Sequence, residues 1–230
     1  MITLVCSNFN SRKWVNGYLD CVNSQFLESF DIIFIDAGST DDSFKTIKDF
    51  KFREGINAQY VSDPGCSIYK AWNIGFKLAT TKYCINFNTD DRLFPSSLQT
   101  YKAYAQKYPE VDLFYSPIIV VNHEDHTNVV QYRNIPNICH KSLLHECYIG
   151  PFPMVKRASW ESLGGFKEHY TISGDYEMWL NMFTSGLKFM RLNETIGSYF
   201  SNPTGMSTDQ SKMKEHWRQD CEIREAYKCA

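Results

Sequence analysis

Over roughly the first ninety residues, short apolar runs rich in β-branched and aromatic side chains alternate with longer amphipathic stretches, and few folds accept that order. ITLVC is followed by an amphipathic segment at 11–24 and DIIFID by another at 41–53. AQYV is followed by a segment in which Ile68, Trp72, Phe76 and Ala79 share one helical face. Short apolar runs bounded by polar turns read as strands, and apolar residues recurring at three and four positions read as helices. The alternation therefore predicts repeated β-α-β units, which require a mostly parallel, Rossmann-like sheet flanked by helices. The next apolar run, YCINF, leads into the polar turn NTDDR. Open α/β sheets bind ligands beyond the carboxyl ends of their strands. Three polar clusters, SNFN, DAGSTDDS and NTDD, stand where these runs stop.

The second half is less regular. It predicts a helix near 96–108, one strand over LFYSPIIVV, loops from about 122 to 147, and a strand at PFPMV. A helix at 157–163 closed by Gly164 and Gly165, a helix at 175–185 and a short strand KFMRL complete it. From Thr208 a charged amphipathic helix places Met213, Trp217 and Cys221 on one face, and docking of that face onto the domain is favoured over a partner or a membrane. Neither a linker nor an internal repeat divides the chain. It reads as one α/β domain of 230 residues, with a ligand-binding half at 1–92, a second half at 93–207 and the helix at 208–230.

The 24 basic and 26 acidic residues are scattered, so no basic footprint exists for a nucleic acid partner. Aromatic residues form 15% of the chain, enough to supply sugar-stacking platforms, with Tyr148, Phe152, Trp160 and Trp179 as candidates that are individually better read as core. Eight cysteines without a C-x-x-C pair read as reduced thiols. The order Cys139, His140, His145, Cys147 does not match a usual zinc spacing. The isolated His123, His126 and His216 read as structural or surface groups rather than metal ligands. With no signal peptide and no apolar run of about 20 residues, the expected location is the cytoplasm.

Two acidic clusters carry chemistry. Asp90 and Asp91 follow an apolar strand directly and repel one another unless a cation sits beside them. Mg²⁺ or Mn²⁺ commonly takes one or two protein carboxylates and fills its other positions with phosphate oxygens and water. A solvated turn or helix cap is the plainer alternative. In DAGSTDDS, helix-start chemistry accounts for Ser39 to Asp42 but leaves Asp36, which could accept a hydrogen bond from a base or ribose.

These residues together resemble the family 2 glycosyltransferases with the GT-A nucleotide-sugar fold. The likeness runs through ITLVCSNFN, DAGSTDDS, SDPGCSIYKAWNIGFKLATTKYCINFNTDD and PMVKRASWESLGGFKEHYTISGDYEMWL. It implies Asp36 and Asp63 at the nucleobase, Asp90 at the ribose or metal, and Asp91 at a metal bridging the donor diphosphate. Ser7, Asn8 and Asn73 join the nucleotide-sugar set, and Asp175 becomes the catalytic base. The sequence departs from the family pattern at Asn88, where many relatives have Asp. It departs again at Gly174, where an acid usually precedes Asp175, so that Glu177 stands as an alternative base. Lys167, in GGFKE, also replaces a frequent Asp.

The resemblance implies an inverting transfer of a sugar, from a UDP donor with Mn²⁺ or Mg²⁺, to a hydroxyl of a glycan or lipid-linked acceptor. That acceptor would belong to surface polysaccharide or glycoconjugate synthesis and be met at the inner face of the membrane. A non-catalytic nucleotide-sugar or glycan binding domain is the rival reading, motivated by Gly174. A sugar nucleotidyltransferase is disfavoured because SNFNSRKW lacks a glycine-rich phosphate loop.

Overall fold

The structure, a computed structural model, describes residues 2–122, 126, 128–133 and 135–229. Its first half follows the predicted order: β1 (Ile2–Asn8), α1 (Arg12–Asn23), β2 (Phe30–Asp36), α2 (Ser43–Asp49), β3 (Ile56–Ser62), α3 (Ile68–Leu78) and β4 (Tyr83–Asn86). Strands β3, β2, β1 and β4 lie side by side and all parallel. Side chains alternate between the two faces of the sheet, as strand geometry requires. Leu4 and Cys6 join Ile32 and Phe34 beneath Val15, Tyr18 and Leu19 of α1. Val5, Ile33 and Ile35 pack on the opposite face against Tyr69, Trp72 and Phe76 of α3. Gly75 allows α3 to lie that close, since a Cβ there would stand 2.2 Å from Val5 Cγ1.

After a short β5 (Arg92–Leu93) come α4 (Ser97–Lys107), β6 (Leu113–Tyr115) and β7 (Ile118–Val121). The single strand expected over 113–121 is thus two strands in two sheets. Pro117, which has no N–H to give a ladder, marks the break. The expected loops at 122–147 contain β8 (Val129–Arg133) and α5 (His140–His145). Strand β8 escapes a pattern reading because Val129, Val130 and Tyr132 are all exposed on an edge strand, with no buried face to impose alternation.

The chain continues through β9 (Met154–Lys156), α6 (Arg157–Ser162), α7 (Gly174–Thr184), β10 (Phe189–Arg191) and β11 (Gly197–Phe200). The large sheet has the order β10-β6-β9-β4-β1-β2-β3, and only β9 runs antiparallel to its neighbours. A smaller sheet, β5-β11-β7-β8, stands beside it.

The last helix, α8 (Met213–Tyr227), docks onto α7 and α5 as predicted, but by a different face. Gln219 and Ile223 are buried, whereas Met213 and Trp217 face solvent, Trp217 with 68% of its surface exposed. Hydrogen bonds from the polar side of α8 supply this docking, a contribution that apolar spacing does not register. Among the described residues no helix is long and apolar enough to cross a membrane.

Candidate active site

From β1 the chain builds outward through β2 and β3, then returns to place β4 on the other side of β1. That reversal is a topological switch point, where the loops diverge and leave a crevice. A cavity of about 600 Å³ opens there. Its walls include Ser7, Phe9, Asn10 and Ser11 at the end of β1, Ala37 beyond β2, Asn88 to Asp90 beyond β4, and a strap contributed by Asn202, Thr204, Gly205 and Met206.

Ser7 and Asp90 are the expected donor-site residues that line this cavity. Burial raises the pKa of the Asp90 carboxyl, partly offset by a hydrogen bond from Asn202. Asp91 turns inward instead. It is buried, its Oδ1 accepts the Phe200 N–H at 3.1 Å, and burial together with the Asp90 charge holds its pKa well above the ordinary carboxylate range. Arg92 does not neutralise the pair directly, because its guanidinium donates to the carbonyl oxygens of Thr89, Asp91 and Trp14. The metal ligand expected at Asp91 thus lies behind the cavity wall, and Asp90 presents the carboxylate.

A divalent ion fits this donor set. An acidic pair on whose oxygens the described residues place no recorded lysine or arginine salt bridge gains from a cation, and a diphosphate could complete the shell. Among the described residues there is no cluster of three histidine, cysteine or acidic side chains able to hold a metal alone.

Three other residues expected at the donor have a different task. Asp36 spends both oxygens on its own loop, Oδ1 accepting from Asn8 and Ser39 Oγ and Oδ2 from the N–H groups of Gly38 and Ser39. Asn8 is buried and donates to Asp36, Ser39 and Ser43, tying the ends of β1 and β2 together. Asn73 is buried too, and its carboxamide bonds both the N–H and the carbonyl of Phe166 and the Glu168 carboxylate. Their role is to shape loops, a role that polar residue identity alone does not separate from ligand binding. Asp63 is half-buried and paired with Lys70 at 2.8 Å, next to the cavity residues Gly65 and Cys66.

A second cavity, about 500 Å³, lies on the far side of the 201–208 strap and contains Asp175. Asp175 is in the first turn of α7, and Ser173 rather than Asp175 occupies the N-cap position. Burial raises its pKa, while the Tyr176 N–H at 2.9 Å and the Tyr69 hydroxyl favour the ionised form. Glu177 does not share this cavity. It is buried and accepts the Tyr227 hydroxyl at 2.5 Å.

Tyr199 lines the second cavity and its hydroxyl bonds Ser207 in the strap at 3.2 Å; burial, and then the charges of Asp91, Asp90 and Asp175, raise its pKa. Tyr148, Phe152, Trp160 and Trp179 are buried in the core. His126, read from the sequence as a structural or surface group rather than a metal ligand, bonds the Asp90 carbonyl at 2.9 Å and Ser198 Oγ at 2.6 Å. His216 lines the second cavity, and His123 lies outside the described residues. The strap residues 202–206 carry no motif, and only the tertiary structure reveals them as cavity wall.

The fold has clear counterparts. A glycosyltransferase of PGL/p-HBAD biosynthesis from Mycobacterium bovis is 20% identical over 215 residues, covering 90% of this chain and 79% of the relative. An Escherichia coli enzyme named UDP-Glc:alpha-D-GlcNAc-diphosphoundecaprenol beta-1,3-glucosyltransferase is 22% identical over 219 residues, covering 95% of this chain and 84% of the relative. Among solved structures, Staphylococcus aureus TarS with UDP-GlcNAc superposes with a TM-score of 0.77 at 14% identity, covering 96% of this chain and 66% of that one. A Pyrobaculum calidifontis mannosyltransferase with GDP-Man and Mn²⁺ superposes at 0.72 with 15% identity, covering 95% of this chain and 62% of that one. The chain therefore spans about two thirds, or slightly less, of these solved chains. The model of glycosyl transferase family 2 matches residues 3–163, most of the crevice-forming sheet, and the chain belongs to that family.

Proposed function

We propose that the protein is an inverting glycosyltransferase that moves a hexosyl or N-acetylhexosaminyl unit from a UDP-sugar to an acceptor hydroxyl. The observation that carries this reading is the pair of cavities that share the 201–208 strap as a wall, one bordered by Asp90 and the other by Asp175. Direct displacement needs such a division, because the leaving diphosphate and the attacking hydroxyl stand on opposite faces of the anomeric carbon.

In this reading the crevice beyond β1 and β4 holds the donor. Ser7 and Asp90 contact it, Asp63 stands at its rim, and Asp36, Asn8 and Asn73 keep the surrounding loops in shape. Asp90, with Asp91 behind it, would hold Mn²⁺ or Mg²⁺. When bound, the ion supplies positive charge against the diphosphate. Asp175 accepts the proton of the acceptor hydroxyl as that oxygen attacks, and the Tyr176 N–H and Tyr69 hydroxyl stabilise its ionised form beforehand. The UDP-GlcNAc and GDP-Man with Mn²⁺ bound to the structural neighbours support a nucleotide-sugar donor and a metal. The diphosphoundecaprenol acceptor named for the Escherichia coli relative supports a lipid-linked glycan met at the cytoplasmic face of a membrane.

Calorimetric titration with UDP, GDP and dTDP, each with Mn²⁺, Mg²⁺ or EDTA, tests the donor assignment. Metal-dependent binding of UDP that is lost in Asp90→Ala is the expected result. Failure of every nucleotide to bind would remove the reading, and binding without sugar transfer to any acceptor would leave a nucleotide-sugar binding domain in its place.

A further inference from the structure

The turn that launches α7 is held by an unusual partner. Gln219 of α8 is 1% exposed, and its Oε1 accepts the successive N–H groups of Thr171, Ile172 and Ser173 at 3.2, 3.0 and 3.1 Å. Its Nε2 donates to Thr171 Oγ1 and Glu215 Oε1, both at 2.7 Å, so the network fixes which end of the carboxamide is oxygen. Beside it, Ser173 Oγ donates to Asp220 Oδ1 at 2.6 Å and makes no side-chain cap of its own helix. Asp175 follows two residues later.

Three successive N–H groups converging on one point form a nest, a concavity suited to an anion. Here a neutral amide oxygen fills it. A carboxylate would serve the same donors but add a negative charge near Asp175 and Asp220, further disfavouring the ionised form of Asp175. Helix α8 lies outside the 3–163 region matched by the family model, so this brace comes from a part of the chain that the family match does not cover.

We propose that Gln219 is a positioning residue for Asp175, fixing through the 171–173 turn the direction in which the carboxylate enters the second cavity. The proposal rests on the reading of Asp175 as the base, but its physical content does not require turnover. Among the described residues, the groups facing Asp175 are the Tyr69 hydroxyl from α3, the Tyr176 N–H of α7, Cys147 ahead of β9, Tyr199 of β11, and His216 and Asp220 of α8, while Arg133 of β8, Glu146 after α5 and Arg224 of α8 line the same cavity. The Tyr176 and Tyr69 donors favour the anion, and a relaxed turn would pull Asp175 away from them. Its titration would then move upward.

The test is a carbon-13 titration of the full chain labelled at aspartate, with the Asp175 signal assigned by its loss in Asp175→Asn. Gln219→Met preserves bulk and removes the acceptor. It is expected to raise the Asp175 midpoint by about half a pH unit or more. The same substitution should leave UDP affinity within about twofold while sugar transfer falls about tenfold in kcat, the scale expected of a displaced catalytic group. An unchanged midpoint with unchanged kcat would overturn the proposal, as would a loss of activity with no change in midpoint, because a purely structural role lowers the active fraction without moving it. If Gln219→Met does not fold, Ser173→Ala removes the neighbouring tie alone and should move the midpoint in the same direction by less; no movement there is equally decisive. A shifted midpoint in a protein that transfers no sugar would uphold the positioning and remove only the base assignment.

Discussion

The Tyr69 hydroxyl has one proton to give and sits between two acceptors, the Ile172 carbonyl and Oδ1 of Asp175, the latter 3.3 Å away and 106 positions later in the chain. One tyrosine on α3, the helix packed on the donor-side sheet, thus touches both the turn before the proposed base and the base itself. Tyr69→Phe removes a donor that favours ionised Asp175, so its pKa rises. Since a general base works only when deprotonated, the acid limb of the kcat profile should move to higher pH, with kcat at neutral pH reduced about three- to tenfold. A pH–rate profile of the variant checks this, and an unmoved limb would separate Tyr69 from the base.

Removing the proposed base should have a larger effect. Asp175→Asn should lower sugar transfer by about 10²–10⁴-fold while nucleotide affinity stays unchanged, because the residue lines the second cavity and not the first. In the parent protein burial raises the Asp175 pKa, so the acid limb should lie above the ordinary carboxylate range. Transfer kinetics paired with nucleotide titration distinguish this result from general damage to the fold.

Asp91 should reveal itself in stability before activity. Its folded pKa is raised, so the folded state holds a proton that the unfolded chain has already released. The associated stability is present at pH below the unfolded carboxylate value and is lost as pH rises through the folded pKa. Asp91→Asn keeps an oxygen for the Phe200 N–H and avoids burying a charge. Thermal melting from pH 4 to 8 without metal should show the variant melting higher than the parent at the alkaline end and converging with it at the acid end. A variant less stable at every pH would contradict this account.

Far from the cavities, the Arg53 guanidinium donates to the backbone carbonyls of Asn23, Gln25, Leu27, Glu28 and Glu54, clasping the α1–β2 connection. Gly55 beside it has φ +90°, and a Cβ there would stand 2.1 Å from the Glu28 oxygen. A lysine cannot reproduce the planar fork of donors. Arg53→Lys should cost about 2 kcal/mol in chemical denaturation and leave nucleotide binding intact.

Residue pattern alone determined the β-α-β half of this protein, because both faces of β1 and β2 must be apolar and the intervening helices must each present one apolar stripe. It also located the polar loops at the strand ends, and the resemblance to the family singled out Asp90 and Asp175. The pattern could not divide 113–121 between two sheets or find β8, whose exposed side chains follow no alternation. Nor could it decide which polar side chains face a ligand. Asp36, Asn8 and Asn73 have the right chemistry for a nucleotide, yet Asn8 and Asn73 bond segments distant in sequence and Asp36 bonds Asn8 and its own loop. The same reason hid Gln219: helical periodicity drew attention to Met213 and Trp217, while the face that docks is held by hydrogen bonds to a turn 46 to 48 residues earlier. Apolar burial is periodic and therefore readable along the chain, whereas the partner of a buried polar group is fixed only when tertiary structure brings the two together.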